Sequence, residues 1–78
     1  MQISFTKHAL QRIKARKISK DAVIDTIENP DSIKNDSYGN LVAQKIRDKY
    51  LLRVFYVIRG NTKIIISAYQ TSKIEKYI

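Results

Sequence analysis

His8, Arg12 and Arg16 recur at intervals of four, and a helix of about 3.6 residues per turn sets all three on one face. Arginine forks hold phosphates, and histidine moves protons near neutral pH. A cationic row that carries the chain's one histidine therefore suits RNA cleavage without a metal. In that reaction a base takes the proton of the 2′-hydroxyl and an acid protonates the departing 5′-oxygen. Cations stabilise the charge that gathers on phosphorus. On this reading His8 is the acid or base, Arg12 and Arg53 are catalytic cations, and Arg16 holds substrate. The plainer description is an exposed first-turn histidine on a solvated basic helix face, and spacing alone leaves both standing.

Arg53 is the more specific signal. It interrupts an apolar run, Leu51-Leu52-Arg53-Val54-Phe55, and a cation there needs an anionic partner or a cleft. A structural pair with Asp25, Glu28 or Asp48 is the competing expectation. Tyr50, Tyr56, Tyr69 and Tyr77 can stack on bases or donate to phosphate, although Tyr56 reads as a packing residue. Ser67, Tyr69, Thr71 and Lys73 form a hydroxyl-rich, cationic rim where the last strand ends, and are read as substrate-binding. That stretch also reads as a polar turn.

The elements that must carry these groups follow from periodicity. Residues 1–6 suggest a short strand with Ile3 and Phe5 on one side. Thr6 is a good N-cap for a helix to Lys17 with Ala9, Leu10 and Ile13 as its apolar stripe. Ser19 caps a second helix, with Val23, Ile24 and Ile27 buried, which Asn29-Pro30-Asp31 ends. The period then changes to alternation. A weak segment near Ser32–Lys34 precedes strands at Leu41–Arg47, Tyr50–Arg59 and Thr62–Tyr69, with turns at Asp48-Lys49 and Gly60-Asn61. Leu52, Val54, Tyr56 and Ile58 share one face; Leu51, Arg53, Phe55, Val57 and Arg59 share the other, which is expected to line a concavity. Ile64 and Ile66 should alternate against Ile65 and Ser67. Thr71–Ile78 reads as a final helical turn docked by Ile74, Tyr77 and Ile78.

Composition bounds the partners. Seventy-eight residues make a single domain, 1–78. Fifteen Lys and Arg against seven Asp and Glu, a net charge of +8, favour a polyanion such as RNA, with a solvated basic surface as the plain alternative. One histidine and no cysteine supply too few ligands for a structural zinc site, and the absence of cysteine fits a reducing compartment. No Walker loop, dinucleotide fingerprint or carboxylate cluster stands out, so no cofactor and no metal are expected. The first residues do not read as a signal peptide, and no apolar stretch approaches the roughly 20 residues of a membrane span. The chain reads as soluble and cytoplasmic, with no membrane partner.

Thr6-Lys7-His8-Ala9-Leu10-Gln11-Arg12-Ile13 with Arg16-Lys17-Ile18-Ser19 resembles the pattern "T-x-H-A-x-x-R-[apolar]-x-x-R-x-I-S". That pattern opens a family of small bacterial and archaeal domains of the DUF4258 type. Asn29-Pro30-Asp31 resembles its "NPD". Leu52-Arg53-Val54 and Ile65–Ile74 resemble its "LRV" strand and closing "iiTaYxTSKIxKY" segment. The likeness spans nearly the whole chain. It implies an α+β domain similar to the RelE/ParE toxins, with two N-terminal helices packed on an antiparallel sheet of three to four strands. Members of that fold are ribonuclease toxins that cleave RNA without metal, or gyrase poisons, each neutralised by an antitoxin. The resemblance thus implies a toxin–antitoxin endoribonuclease with His8, Arg12, Arg16, Arg53 and the Ser67–Lys73 strand end as its site. Its partners would be RNA, a small acidic antitoxin and the ribosome, in a homo-oligomer or a toxin–antitoxin hetero-oligomer. A gyrase- or nucleic-acid-binding module without catalysis is the alternative. Lys17 stands where the pattern usually has glycine, and Ser67 where it has threonine.

Overall fold

A computed structural model describes residues 1–78. Two N-caps start its helices. Thr6 Oγ1 accepts from the Ala9 amide at 3.0 Å and Ser19 Oγ from the Ala22 amide at 3.0 Å, satisfying donors that a helix start leaves open. They open α1 (Lys7–Ala15) and α2 (Lys20–Glu28). Between the helices the Ile18 amide returns to the Ile13 carbonyl (2.8 Å) and the Lys17 amide to that of Lys14 (3.2 Å). This is a Schellman closure, and it requires a left-handed residue at Lys17. Lys17 has φ +57°. The turn usually made by glycine is thus kept with a lysine in a conformation that its Cβ disfavours.

The strands are β1 (Gln2–Phe5), β2 (Ser32–Asn35), β3 (Leu41–Arg47), β4 (Tyr50–Arg59) and β5 (Thr62–Thr71). They form one sheet in the order β1-β5-β4-β3-β2. β1 runs parallel to β5, with Gln2 beside Thr62 and Phe5 beside Ile65, while every other pairing is antiparallel. The expected antiparallel sheet of three to four strands is therefore corrected to a mixed sheet of five, and the α+β class stands. β1 and β2 have four residues each. They are stabilised by ladders to β5 and β3, a pairing that local patterning does not identify.

Gly60, at φ +57° with open space around a would-be Cβ, makes the two-residue turn from β4 to β5. Along this hairpin Phe55 pairs with Ser67 but Tyr56 with Ile65, so Ile66 is the extra residue of a bulge. The expected alternation of β5 is thereby broken. Ile65 and Ala68, three positions apart, both enter the core between sheet and helices.

That core joins Ala9, Ile13, Ile18, Val23 and Ile27 to Ala43, Leu52, Val54, Tyr56, Ile65 and Ala68, with Ile3, Phe5, Ala22 and Leu41 packed at its rim. Each large aliphatic side chain buried there contributes roughly 1.5–3 kcal/mol. Both helices lie on this one face of the sheet. The other face, bearing Leu51, Arg53, Phe55 and Val57, is left to the C-terminal segment. Ile74–Lys76 form a single 3-10 turn where a final helical turn is expected. Ile74 and Tyr77 are half-buried, whereas Ile78 is 68% exposed and does not dock. No helix is long and apolar enough to cross a membrane.

Candidate functional site

Strand register builds a polar row across the open sheet face. Ser32 lies opposite Gln44, Gln44 opposite Arg53, and Arg53 opposite Tyr69. Hydrogen bonds follow the row: Gln44 Nε2 donates to Ser32 Oγ (3.2 Å), Arg53 Nε to Gln44 Oε1 (2.7 Å), and Arg53 Nη1 to Tyr69 Oη (2.7 Å). Two of the five guanidinium N–H groups are thus used by the protein, and neither acceptor is charged.

Three rings surround the cation. The guanidinium carbon lies 4.1 Å from the Tyr77 ring centre, 5.4 Å from that of Phe55 and 5.7 Å from that of Tyr69. Phe55 stacks on Tyr69 with centroids 5.9 Å apart, and Tyr77 meets Tyr69 edge-on at 6.5 Å. Ring faces are electron-rich and stabilise a cation without neutralising it. The Tyr77 carbonyl accepts from Lys34 Nζ (2.6 Å) and from Gln44 Nε2 (3.1 Å), which fastens the C-terminal segment over Arg53.

Arg53 has no carboxylate partner. Asp25, one of the three acids expected to pair with it, bonds instead to Lys45 Nζ (2.8 Å) and Arg47 Nη1 (3.1 Å), and these are the chain's only two ion pairs. Burial would raise the Asp36 carboxyl, but the amides of Asn40 and Tyr38 and the Asn40 side chain outweigh that and hold it below the ordinary value. Arg53 is among the groups that lower the Asp36 carboxyl, without bonding to it.

The two phenols are displaced in opposite directions. Burial, then the Tyr77 hydroxyl beside it, push Tyr69 above the ordinary tyrosine value. Tyr77 is lowered, chiefly by the Tyr69 hydroxyl and further by Lys76 and Arg53. Such a divided pair suits one proton acceptor and one proton donor.

The sequence-derived candidates fall into two groups. Arg53, Ser67, Tyr69 and Thr71 share the open face, Ser67 opposite Phe55 and Thr71 opposite Leu51. Thr71 Oγ1 accepts from the amide of Lys73, which is exposed at the rim. His8, Arg12 and Arg16 belong to the helix layer on the other side. Arg12 Nε donates to His8 Nε2 at 2.7 Å, both residues being exposed, and Arg16 Nη1 donates to the Ala68 carbonyl at 2.8 Å. The structure does not bring this stripe to Arg53.

Tyr56 is 2% exposed, in the core and raised by burial, as a packing tyrosine should be. Tyr50 is exposed at the far hairpin. Gln44, Ser32 and Lys34 were not legible as site residues from their types. Gln44 did carry a signal, since counting back from the Asp48-Lys49 turn sets it opposite Arg53. No group of three or more His, Asp or Glu side chains gathers in a way that could hold a metal.

A family model described as "Domain of unknown function (DUF4258)" matches residues 5–70. No curated protein and no solved structure matches the chain.

Proposed function

The chain belongs to the DUF4258 family, and from that premise we propose that its open sheet face is an RNA site at which phosphodiesters are cleaved without a metal. One observation carries the reading: Arg53 is a partly buried cation with free N–H groups, no carboxylate partner, and two oppositely shifted phenols beside it. Arg53 would hold the scissile phosphate and stabilise the charge of the pentacoordinate state. Tyr77 takes the proton of the 2′-hydroxyl as that oxygen attacks phosphorus, and the bond to the 5′-oxygen breaks. Tyr69 gives its proton to that oxygen and regains one from Tyr77. The products are a 2′,3′-cyclic phosphate and a 5′-hydroxyl. Phe55 and the tyrosine rings offer stacking surfaces for bases, and Lys34, Lys73 and Lys76 add attraction for the backbone.

The biological setting that accords with this chemistry is that of a cytoplasmic toxin related to the RelE/ParE type. Its RNA would be mRNA, with the ribosome as a further partner. A small acidic antitoxin would neutralise the +8 chain in a hetero-oligomer. A second reading, nucleic-acid or gyrase binding without scission, is favoured by the Tyr77 ring, which lies against the guanidinium with its centre 4.1 Å from the guanidinium carbon.

The test is incubation of wild type, Arg53→Ala and Tyr77→Phe with end-labelled RNA in EDTA, followed by end-group analysis. Cyclic-phosphate ends are expected from wild type, with cleavage strongly reduced in both variants. Salt-sensitive binding without scission in all three would leave the second reading. Neither binding nor cleavage by wild type, with or without ribosomes, sinks the RNA site and leaves only gyrase binding of the second reading.

A further inference from the structure

Gln44 is a polar side chain with 0% exposure in the middle of the sheet, where burying an amide is costly unless each of its groups is bonded. Its orientation is fixed by its partners. A guanidinium has no acceptor and a carbonyl has no donor, so Oε1 must face Arg53 Nε and Nε2 must face the Tyr77 carbonyl. Both Nε2 protons are used, one on Ser32 Oγ at 3.2 Å and one on the Tyr77 carbonyl at 3.1 Å. The same amide thereby grips the cation at 2.7 Å and the chain segment that covers it.

We propose that Gln44 is the positioning residue of the anion site: it sets the guanidinium plane of Arg53 and makes that setting depend on a docked C-terminal segment. The inference rests on reading Arg53 as the phosphate-binding group. Fixing Nε on Gln44 and one Nη1 proton on Tyr69 leaves the remaining N–H groups as the presented edge. A neutral amide does this without cancelling the charge. A carboxylate at the same place would orient the cation equally well and neutralise it. Gln44 touches no substrate in this scheme; it acts through Arg53. Lys34 Nζ, on the Tyr77 carbonyl at 2.6 Å, holds the segment from β2 but makes no bond to Arg53.

The experiment is proton–nitrogen NMR of the full chain, observing the Arg53 Nε–H and the Gln44 Nε2 protons, together with binding of a short single-stranded RNA. Wild type, Gln44→Met and Gln44→Glu are compared. In wild type both groups should exchange slowly with water. Gln44→Met should lose the protected Arg53 Nε–H, release the Tyr77 ring signals, and weaken RNA binding by about tenfold, the scale of one charge-assisted hydrogen bond. Gln44→Glu should keep the Nε–H signal and bind RNA at least as weakly as Gln44→Met. It should also release the Tyr77 ring signals, because a carboxylate has no donor for the Tyr77 carbonyl. A merely structural role would not separate these two variants. Gln44→Met with a protected Nε–H and wild-type affinity overturns the proposal. So does a wild-type Arg53 Nε–H that exchanges as fast as that of exposed Arg59, a result that needs no variant to fold. If wild type binds no RNA, the reading of the function fails, and the NMR signals alone then decide whether Gln44 positions Arg53.

Discussion

The ring of Tyr77, next to last in the chain, lies 4.1 Å from the guanidinium carbon of Arg53, in the middle of the sheet. Two anchors on the Tyr77 carbonyl, Lys34 and Gln44, hold it there. A cation is thereby kept partly desolvated by aromatic rings rather than paired with a carboxylate, which leaves it strong towards an incoming anion.

Arg53→Ala should reduce RNA affinity at least tenfold, the effect of removing one charge-assisted contact. Arg53→Lys should recover little of it, because an ammonium cannot donate to Gln44 and Tyr69 in the same fork. Filter binding at several salt concentrations measures this. Equal affinity for wild type and Arg53→Ala would remove the site from the open face.

Cleavage by wild type should rise with pH as Tyr77, lowered from its ordinary value of 10.0, loses its proton, and fall again as Tyr69, raised above 10.0, loses its own. Tyr77→Phe should remove the rising limb and Tyr69→Phe the falling one. A pH–rate profile unchanged in both variants would exclude the phenols from proton transfer.

His8→Ala should leave RNA cleavage within about twofold of wild type, since no charge-assisted contact to the Arg53 face is lost. Single-turnover cleavage with labelled RNA measures it. A loss of cleavage in a folded His8→Ala protein would return the chemistry to the α1 stripe.

Lys17→Gly should raise stability by about 0.5–1 kcal/mol. It relieves the left-handed lysine at φ +57°, offset in part by the greater entropy of an unfolded glycine. Thermal melts of the two proteins, compared at equal salt, give the sign. A lower midpoint for the glycine variant would show that Lys17 stabilises the turn in some other way.

Asp25 is held below its ordinary value of 3.8, first by the hydrogen bond from Lys45. A carboxyl lowered on folding stabilises the protein above its unfolded value, and that contribution is lost as the pH falls through the lower folded value. Denaturant midpoints should therefore drop below about pH 4 in wild type, and less steeply in Asp25→Asn. Parallel pH dependences in the two would show that the α2–β3 link carries no net stability.

Local features of the sequence determined the local features of the structure. The caps Thr6 and Ser19, the stop at Asn29-Pro30, the turns at Asp48-Lys49 and Gly60-Asn61 and the long β4 are each specified by residues within a few positions of one another. Ile18 and Ser19 were also readable as a break between helices, although the first helix ends at Ala15 rather than Lys17. The isolation of Arg53 in an apolar strand was enough to single it out, because its apolar neighbours in sequence offer a cation no partner.

What the tertiary structure decided is everything that depends on distant pairing. The parallel docking of β1 on β5 joins residues about sixty positions apart, and β2 is a strand only by virtue of β3 beside it. A single bulged residue, Ile66, turned Ser67, Tyr69 and Thr71 onto the face of Arg53 and sent Ala68 into the core. His8, Arg12 and Arg16 share a helix face by periodicity, yet which side of the sheet that helix covers is set by the burial of Ala9 and Ile13. Periodicity fixes which side chains share a face; only packing and strand register fix which faces meet.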